Sequence, residues 1–257
     1  MLRAKEQAGR RPAYVSNLKL YLNRFSKEHA EFSLEEITPA TLEKWIEQFP
    51  GQHYRSTWKN RLSTLFAFAV RRGYLSENPC DKLEPVSVDL KPAVIFTIEQ
   101  CRTMLHFVRR QIPRFIPWLV LALFAGVRPE ELDRLTWQDV DLAAKRVTIS
   151  AAASKVHRRR VTPLEPAAVA WLKFGGDLPI PHVSRRRYVR RMRSRLGLAA
   201  WPQDALRHTA ASMMLAREQD AGKVALWLGN SPKILLSHYH QIVSGDECRK
   251  FWELEPF

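Results

Sequence analysis

Cysteine is scarce. Cys80, Cys101 and Cys248 are the only three in 257 residues, odd in number and widely spaced. They form neither a disulfide framework nor a metal-ligand pattern, and they suggest a reducing compartment. Glycine and proline, at 10 and 16, are too few for a fibrous or linker-dominated chain. Long apolar runs are missing. The longest, near 116–127, is interrupted by Pro117 and falls far short of a membrane span. The opening MLRAKEQAGRR has no apolar stretch, so no signal peptide is expected. A cytoplasmic location and no membrane partner are expected with it.

Acidic residues are also in deficit: 26 Asp and Glu face 41 Lys and Arg, a formal net charge of +15. An excess of this size favours a polyanionic partner, most often nucleic acid. The excess is concentrated. Residues 151–207 hold 13 basic and 3 acidic side chains, and residues 185–195 alone hold seven arginines. Hydrophobic residues make up 46% and charged residues 26%, the mixture of a folded chain with a real core.

Hydrophobic periodicity predicts a mainly α protein with a small antiparallel β-sheet in its C-terminal part. Helices are expected over 13–29, 41–49 and 54–71. Thr38-Pro39 reads as an N-cap followed by proline at the first helical position. The stretch 84–94 has two prolines and no helical pattern, and reads as a linker. The expected domains are therefore 1–86 and 95–257, joined by 87–94. In the second, helices are expected near 98–110, 113–124, 129–135, 166–174, 184–196, 203–217, 221–228, 232–239 and 247–252. RVTISA and RRVTPL (146–151 and 159–164) read as a hairpin around a basic turn.

Several motifs arrive in a telling order. Gly126-x-Arg128-x-x-Glu131 opens a helix. Lys155 lies between the two β-like segments. Ala205-Leu206-Arg207-His208-Thr209 opens a strong helix. Leu228-Gly229-Asn230-Ser231 follows, with Tyr239 nine residues after Asn230. Each motif alone is weak; the joint order resembles the tyrosine recombinase (phage-integrase) family from about residue 10 onward. The resemblance implies a helical, SAM-like core-binding domain followed by a tyrosine-recombinase catalytic domain. It implies a site-specific recombinase or integrase acting on double-stranded DNA, with a homotetramer on paired sites.

The site residues implied by the resemblance suit the chemistry. Arg128 and Arg207 match two phosphate-clamping arginines, whose forked donors bind phosphate oxygens and stay charged. Lys155 matches the general acid for the departing 5′-oxygen. Tyr239 matches the nucleophile that forms a 3′-phosphotyrosyl bond. Glu131 matches a supporting acid. No metal, nucleotide or other cofactor is implied. DNA contacts are expected from Arg55, Lys59 and Arg61 on the 54–71 helix, from Arg158 at the turn, and from Arg185, Arg186, Arg187, Arg190 and Arg191 on the 184–196 helix.

Two positions depart from the family pattern. Asp204 stands where a histidine is usual, and a carboxylate beside the phosphate would repel it. Asp204 is expected to be protonated, turned toward Arg207 or toward a backbone N–H as a helix N-cap, or damaging, with the N-cap role preferred. Asn230 stands where histidine or tryptophan is usual; it keeps a hydrogen-bond donor but cannot transfer a proton. His208, His238 and His240 are nearby, His208 being read as structural. These losses leave a second reading open, a catalytically impaired DNA-binding relic or regulator on the same fold. A type IB topoisomerase is a third. The apolar C-terminal residues Phe251, Trp252, Leu254 and Phe257 are expected either to fold back on their own domain or to dock on a neighbour.

Overall fold

The computed structural model describes residues 1–87, 93–154, 158–238 and 243–256, with the side chains of 237 and 238 excepted. Two compact units divide between Leu90 and Lys91. The expected linker at 87–94 falls mostly on 88–92, outside the described residues.

The first unit is helical. It contains α1 (Leu2–Gln7), α2 (Pro12–Glu28), α3 (Pro39–Glu47) and α4 (Gln52–Arg71), then a 3₁₀ turn at Pro79–Lys82. The Thr38 hydroxyl accepts from the Thr41 N–H at 3.2 Å, so the expected cap is formed. Leu18, Leu22 and Phe25 of α2 meet Leu42, Trp45 and Ile46 of α3 and Trp58, Leu62 and Phe66 of α4. The aromatics are interlocked: Trp45 lies edge-on to Phe25 and Trp58, with ring centres 5.0 and 4.7 Å apart. α1 has no counterpart among the expected elements.

The second unit is built around α6 (Ile116–Phe124), in which every residue is buried. Before it come α5 (Ile98–Gln111) and a 3₁₀ turn at Pro113–Phe115. Thr97 and Gln100 close a reciprocal capping box on α5. α7 (Pro129–Leu132) is shorter than expected. A three-stranded antiparallel sheet follows, in the order β1 (Val140–Asp141), β2 (Arg146–Ile149), β3 (Arg160–Pro163). The hairpin register pairs Val147 with Thr162 and Ile149 with Arg160. Then come α8 (Pro166–Leu172), α9 (His182–Arg195), α10 (Ala205–Glu218), α11 (Ala221–Leu228), α12 (Pro232–His238) and α13 (Gly245–Trp252). α6 packs against α5, α8 and α10.

The C-terminal segment folds back on its own unit. Phe251 is buried against Phe124, and the Leu254 carbonyl accepts from the Trp171 indole at 2.6 Å. Phe257 lies outside the described residues. Among the described residues no helix is long and apolar enough to cross a membrane.

Candidate functional site

The site is organised by the C-terminus of α11. A helix leaves its last carbonyls without intrahelical partners and carries partial negative charge there. Gly229 closes α11 in the left-handed conformation at φ +64°, and the Asn230 N–H bonds back to the Ala225 carbonyl at 3.1 Å. This is a glycine cap of the Schellman type. It fixes the direction of the Asn230 side chain.

Three arginines from distant parts of the chain converge on this helix end. Arg128 precedes α7, Arg207 lies on the first turn of α10, and Arg160 opens β3. The Leu228 carbonyl accepts from Arg207 at 2.5 Å and Arg128 at 3.4 Å. The Gly229 carbonyl accepts from Arg128 at 3.3 Å. The Trp227 carbonyl accepts from Arg160 Nε at 3.1 Å and the Thr162 hydroxyl at 2.7 Å. Arg207 also donates to the carbonyl of Gly126. Gly126 must be glycine twice over. Its φ is +59°, and a Cβ there would stand 2.5 Å from the Leu228 side chain.

Asn230 joins the two expected clamp residues. Its Oδ1 accepts from Arg128 Nη2 at 2.5 Å and from Arg207 Nη2 at 3.0 Å. Two guanidiniums thus point at one oxygen, while the amide NH₂ remains as a donor group. The donor expected of Asn230 is that NH₂; its oxygen serves the two arginines.

Glu131 is fully buried. Arg160 grips both of its oxygens, at 3.0 and 2.5 Å. Arg128 reaches only Oε1, at 3.4 Å, and its backbone N–H bonds Oε2 at 3.2 Å. Arg160 was not among the expected site residues, since Arg158 and Arg159 beside it are equally basic. A signal existed: in the strand 159–164, Arg160 and Thr162 share the parity of the apolar Leu164. All three are buried, whereas Arg158 and Arg159 are exposed.

Asp204 occupies the N-cap position of α10, but its side chain makes no cap hydrogen bond and its φ is +52°. The preferred expectation of a side-chain cap is corrected. Only its carbonyl takes part, accepting from the His208 N–H at 2.8 Å. The left-handed backbone is one that Asp tolerates, and the residue is exposed. His208 is half-buried beside Arg207. Lys155 and Tyr239, with His240, lie outside the described residues, as does the side chain of His238.

A cleft of about 490 Å³ opens beside Arg207. Buried Trp118 and half-buried Trp201 line it, with Arg186, Arg190, Arg193 and Asp204 around them. These three arginines follow helical spacing on α9, one face of the helix. Arg193 is not among the expected contacts. The other α9 arginines differ. Arg185 also borders the cleft, but its Nη1 is shared between both oxygens of Asp133, at 3.0 and 2.9 Å; burial nevertheless holds the Asp133 carboxyl above its usual range, with Arg185 pulling the other way. Arg187 and Arg191 lie over the rings of Tyr188 and Phe107, at 5.2 and 5.6 Å. The Arg187 hydrogen bond, ahead of burial, holds the Tyr188 phenol below its usual range.

In the first unit the three expected DNA-contacting residues have internal partners. Arg55 donates to the carbonyls of Phe49 and Glu47, both at 2.8 Å. Lys59 donates to those of Leu83 and Glu84 at 2.7 and 3.1 Å. Arg61 lies over Tyr14 and Tyr21, at 5.6 and 5.9 Å. Among the described residues no cluster of His, Cys, Asp and Glu is placed to hold a metal ion.

No family model matches the chain. A curated Escherichia coli (strain K12) protein, IntQ, whose name describes it as defective, is 30% identical over 87 residues. That match spans 34% of this chain and 21% of IntQ, so the chain matches about a fifth of that relative. Solved structures match far more of it. The Tn1549 transposon integrase in complex with a circular intermediate DNA is 17% identical, with TM-score 0.68 over 98% of both chains. A lambda integrase dimer bound to a core site is 15% identical, with TM-score 0.71 over 92% of this chain and 91% of that one. XerH recombinase in a post-cleavage complex with its difH substrate is 17% identical, with TM-score 0.70 over 89% and 76%. The chain therefore has the tyrosine recombinase fold.

Proposed function

We propose that this protein cleaves and rejoins double-stranded DNA at specific sites through a 3′-phosphotyrosyl intermediate. One observation carries the reading: Arg128 and Arg207 converge on a single acceptor, the Asn230 amide oxygen. A non-bridging oxygen of the scissile phosphate would take that point. The amide would swing aside and offer its NH₂ to the same phosphate. Two preorganised guanidiniums aimed where charge develops stabilise the transition state more than the ground state.

In this reading Tyr239 loses its phenolic proton to solvent and the phenolate oxygen attacks phosphorus. The phosphorus–O5′ bond breaks, and Lys155 gives a proton to the departing oxygen. The reverse reaction, with a different 5′-hydroxyl, rejoins the strand. The phosphotyrosyl bond conserves the bond energy, so the cycle needs neither metal nor nucleotide. The cleft arginines Arg186, Arg190 and Arg193, with Arg158, would hold flanking phosphates and position the duplex. A homotetramer on two paired duplexes would complete an exchange, in the nucleoid.

A second reading keeps the fold and the duplex but not the chemistry. Asp204 on the cleft and the missing proton-transfer group at Asn230 favour it. One experiment separates the two. The protein is incubated with nicked duplexes of randomised sequence, which release the cleaved strand and trap the adduct. Denaturing electrophoresis then reads covalent protein–DNA. An adduct that vanishes in Tyr239→Phe supports the recombinase. Duplex retention with no adduct supports the impaired reading, and an adduct untouched by Tyr239→Phe refutes the assignment of the nucleophile.

A further inference from the structure

Arg160 belongs to no motif that identifies the site, yet it is the cation that binds Glu131 at shortest range. Its side chain is 6% exposed. One edge of the guanidinium holds both oxygens of Glu131, and Nε holds the Trp227 carbonyl. Its stem runs beside Gly229, where an added Cβ would come within 3.1 Å of Arg160 Cδ. The carboxylate it grips also accepts from the Arg128 backbone N–H at 3.2 Å, but the Arg128 guanidinium meets it through one contact at 3.4 Å. A buried carboxylate pairs with the cation that reaches it best.

We infer that Arg160 is a positioning residue: by saturating Glu131 it keeps the carboxylate from capturing Arg128, whose guanidinium stays turned toward Asn230 and available to an anion. The inference rests on Arg128 and Arg207 being a phosphate clamp. Arg160 itself is too buried to touch DNA. It works through charge: the guanidiniums of Arg128 and Arg160 both reach the Glu131 carboxylate, and Arg160 takes the larger share. Without it, Glu131 would close on Arg128 as a bidentate pair. The clamp would keep its residues and lose half its charge.

The full chain is titrated with inorganic phosphate by calorimetry, and the part of the binding lost in Arg128→Ala defines the clamp. Arg160→Met is expected to weaken that part about tenfold, a change of about 1.4 kcal/mol. Arg160→Met combined with Glu131→Gln is expected to return to within about threefold of wild type, because the capturing charge is gone. Wild-type affinity in Arg160→Met, or a double variant no better than the single, overturns the inference. Should Arg160→Met fail to fold, the double variant is compared with Glu131→Gln alone. Equal affinities are then expected, and a tenfold gap overturns the inference. Phosphate binding indifferent to both Arg128→Ala and Arg207→Ala would overturn the clamp itself, a separate failure.

Discussion

Asp204 is the residue whose place in the sequence misleads most. A helix opening with aspartate at its N-cap suggests a side-chain cap, but the left-handed backbone leaves the carboxylate exposed on the cleft. Asp204→Asn keeps the size and the left-handed tolerance and removes one negative charge. Duplex affinity should rise about twofold to fivefold at low salt and converge with wild type at high salt. Fluorescence anisotropy across a salt series checks this; equal affinities at low salt would place the carboxylate away from the DNA. The cysteines give a second prediction. Burial pushes the Cys80 thiol up to about 12, and it pushes Cys101 and Cys248 upward too. All three should resist iodoacetamide in the native protein at pH 8 and react once it is unfolded. At this scale the motif residues Arg128, Glu131, Arg207 and Asn230 were legible, because each sits in a short pattern. Arg160 and Arg193 were not. One is concealed in a run of like arginines, and the other is sorted from its neighbours only by which face of α9 it occupies.

The elements were more legible than their ends. Periodicity locates twelve of the thirteen helices among the described residues, and the β2–β3 hairpin. It gave no warning of α1, whose six residues bury none of their own side chains, or of β1, a two-residue strand defined by its pairing with β2. The end of α11 is where the site is most exposed to a backbone change. Gly126→Ala forces a left-handed φ on alanine and drives its Cβ to 2.5 Å from the Leu228 side chain. Such overpacking costs about 1–3 kcal/mol, and the left-handed strain about 1–2 kcal/mol more. The melting temperature of the second unit should fall by about 5–15 °C. A fall under about 2 °C would show that Leu228 yields freely. In the first unit, the Glu28 carboxyl lies below its usual range, chiefly because the Trp45 indole donates to it at 2.7 Å and then because of Arg24. A depressed folded-state value contributes stability above the unfolded value, about 4.3, and that contribution is lost as pH falls through the folded value. Trp45→Phe should therefore flatten the acid limb of the stability curve, while also lowering stability at every pH. An acid limb of unchanged slope would deny the indole its role.

Across the whole molecule, charge and burial give different accounts of the C-terminal end. Its sequence left two arrangements open, and the structure has Phe251, Leu254 and Cys248 inside their own unit. Truncating a buried phenylalanine costs about 3–5 kcal/mol. Phe251→Ala should lower the melting temperature of the second unit by about 6–20 °C, and an unchanged melt would mean that the segment leaves its unit in solution. The net charge of +15 was readable at once, and so was its concentration in residues 151–207. What charge alone could not supply is the division of labour between holding a duplex and stabilising a reacting phosphate. That division is the central claim, and Arg207→Ala tests it most directly. Adduct formation on a nicked duplex and affinity for the same duplex are measured side by side. Cleavage should fall by about 10²–10³-fold while affinity stays within about threefold, because on the proposed reading many other basic residues would hold the DNA. Cleavage and affinity falling together by the same factor would make Arg207 one more backbone contact and contradict the clamp.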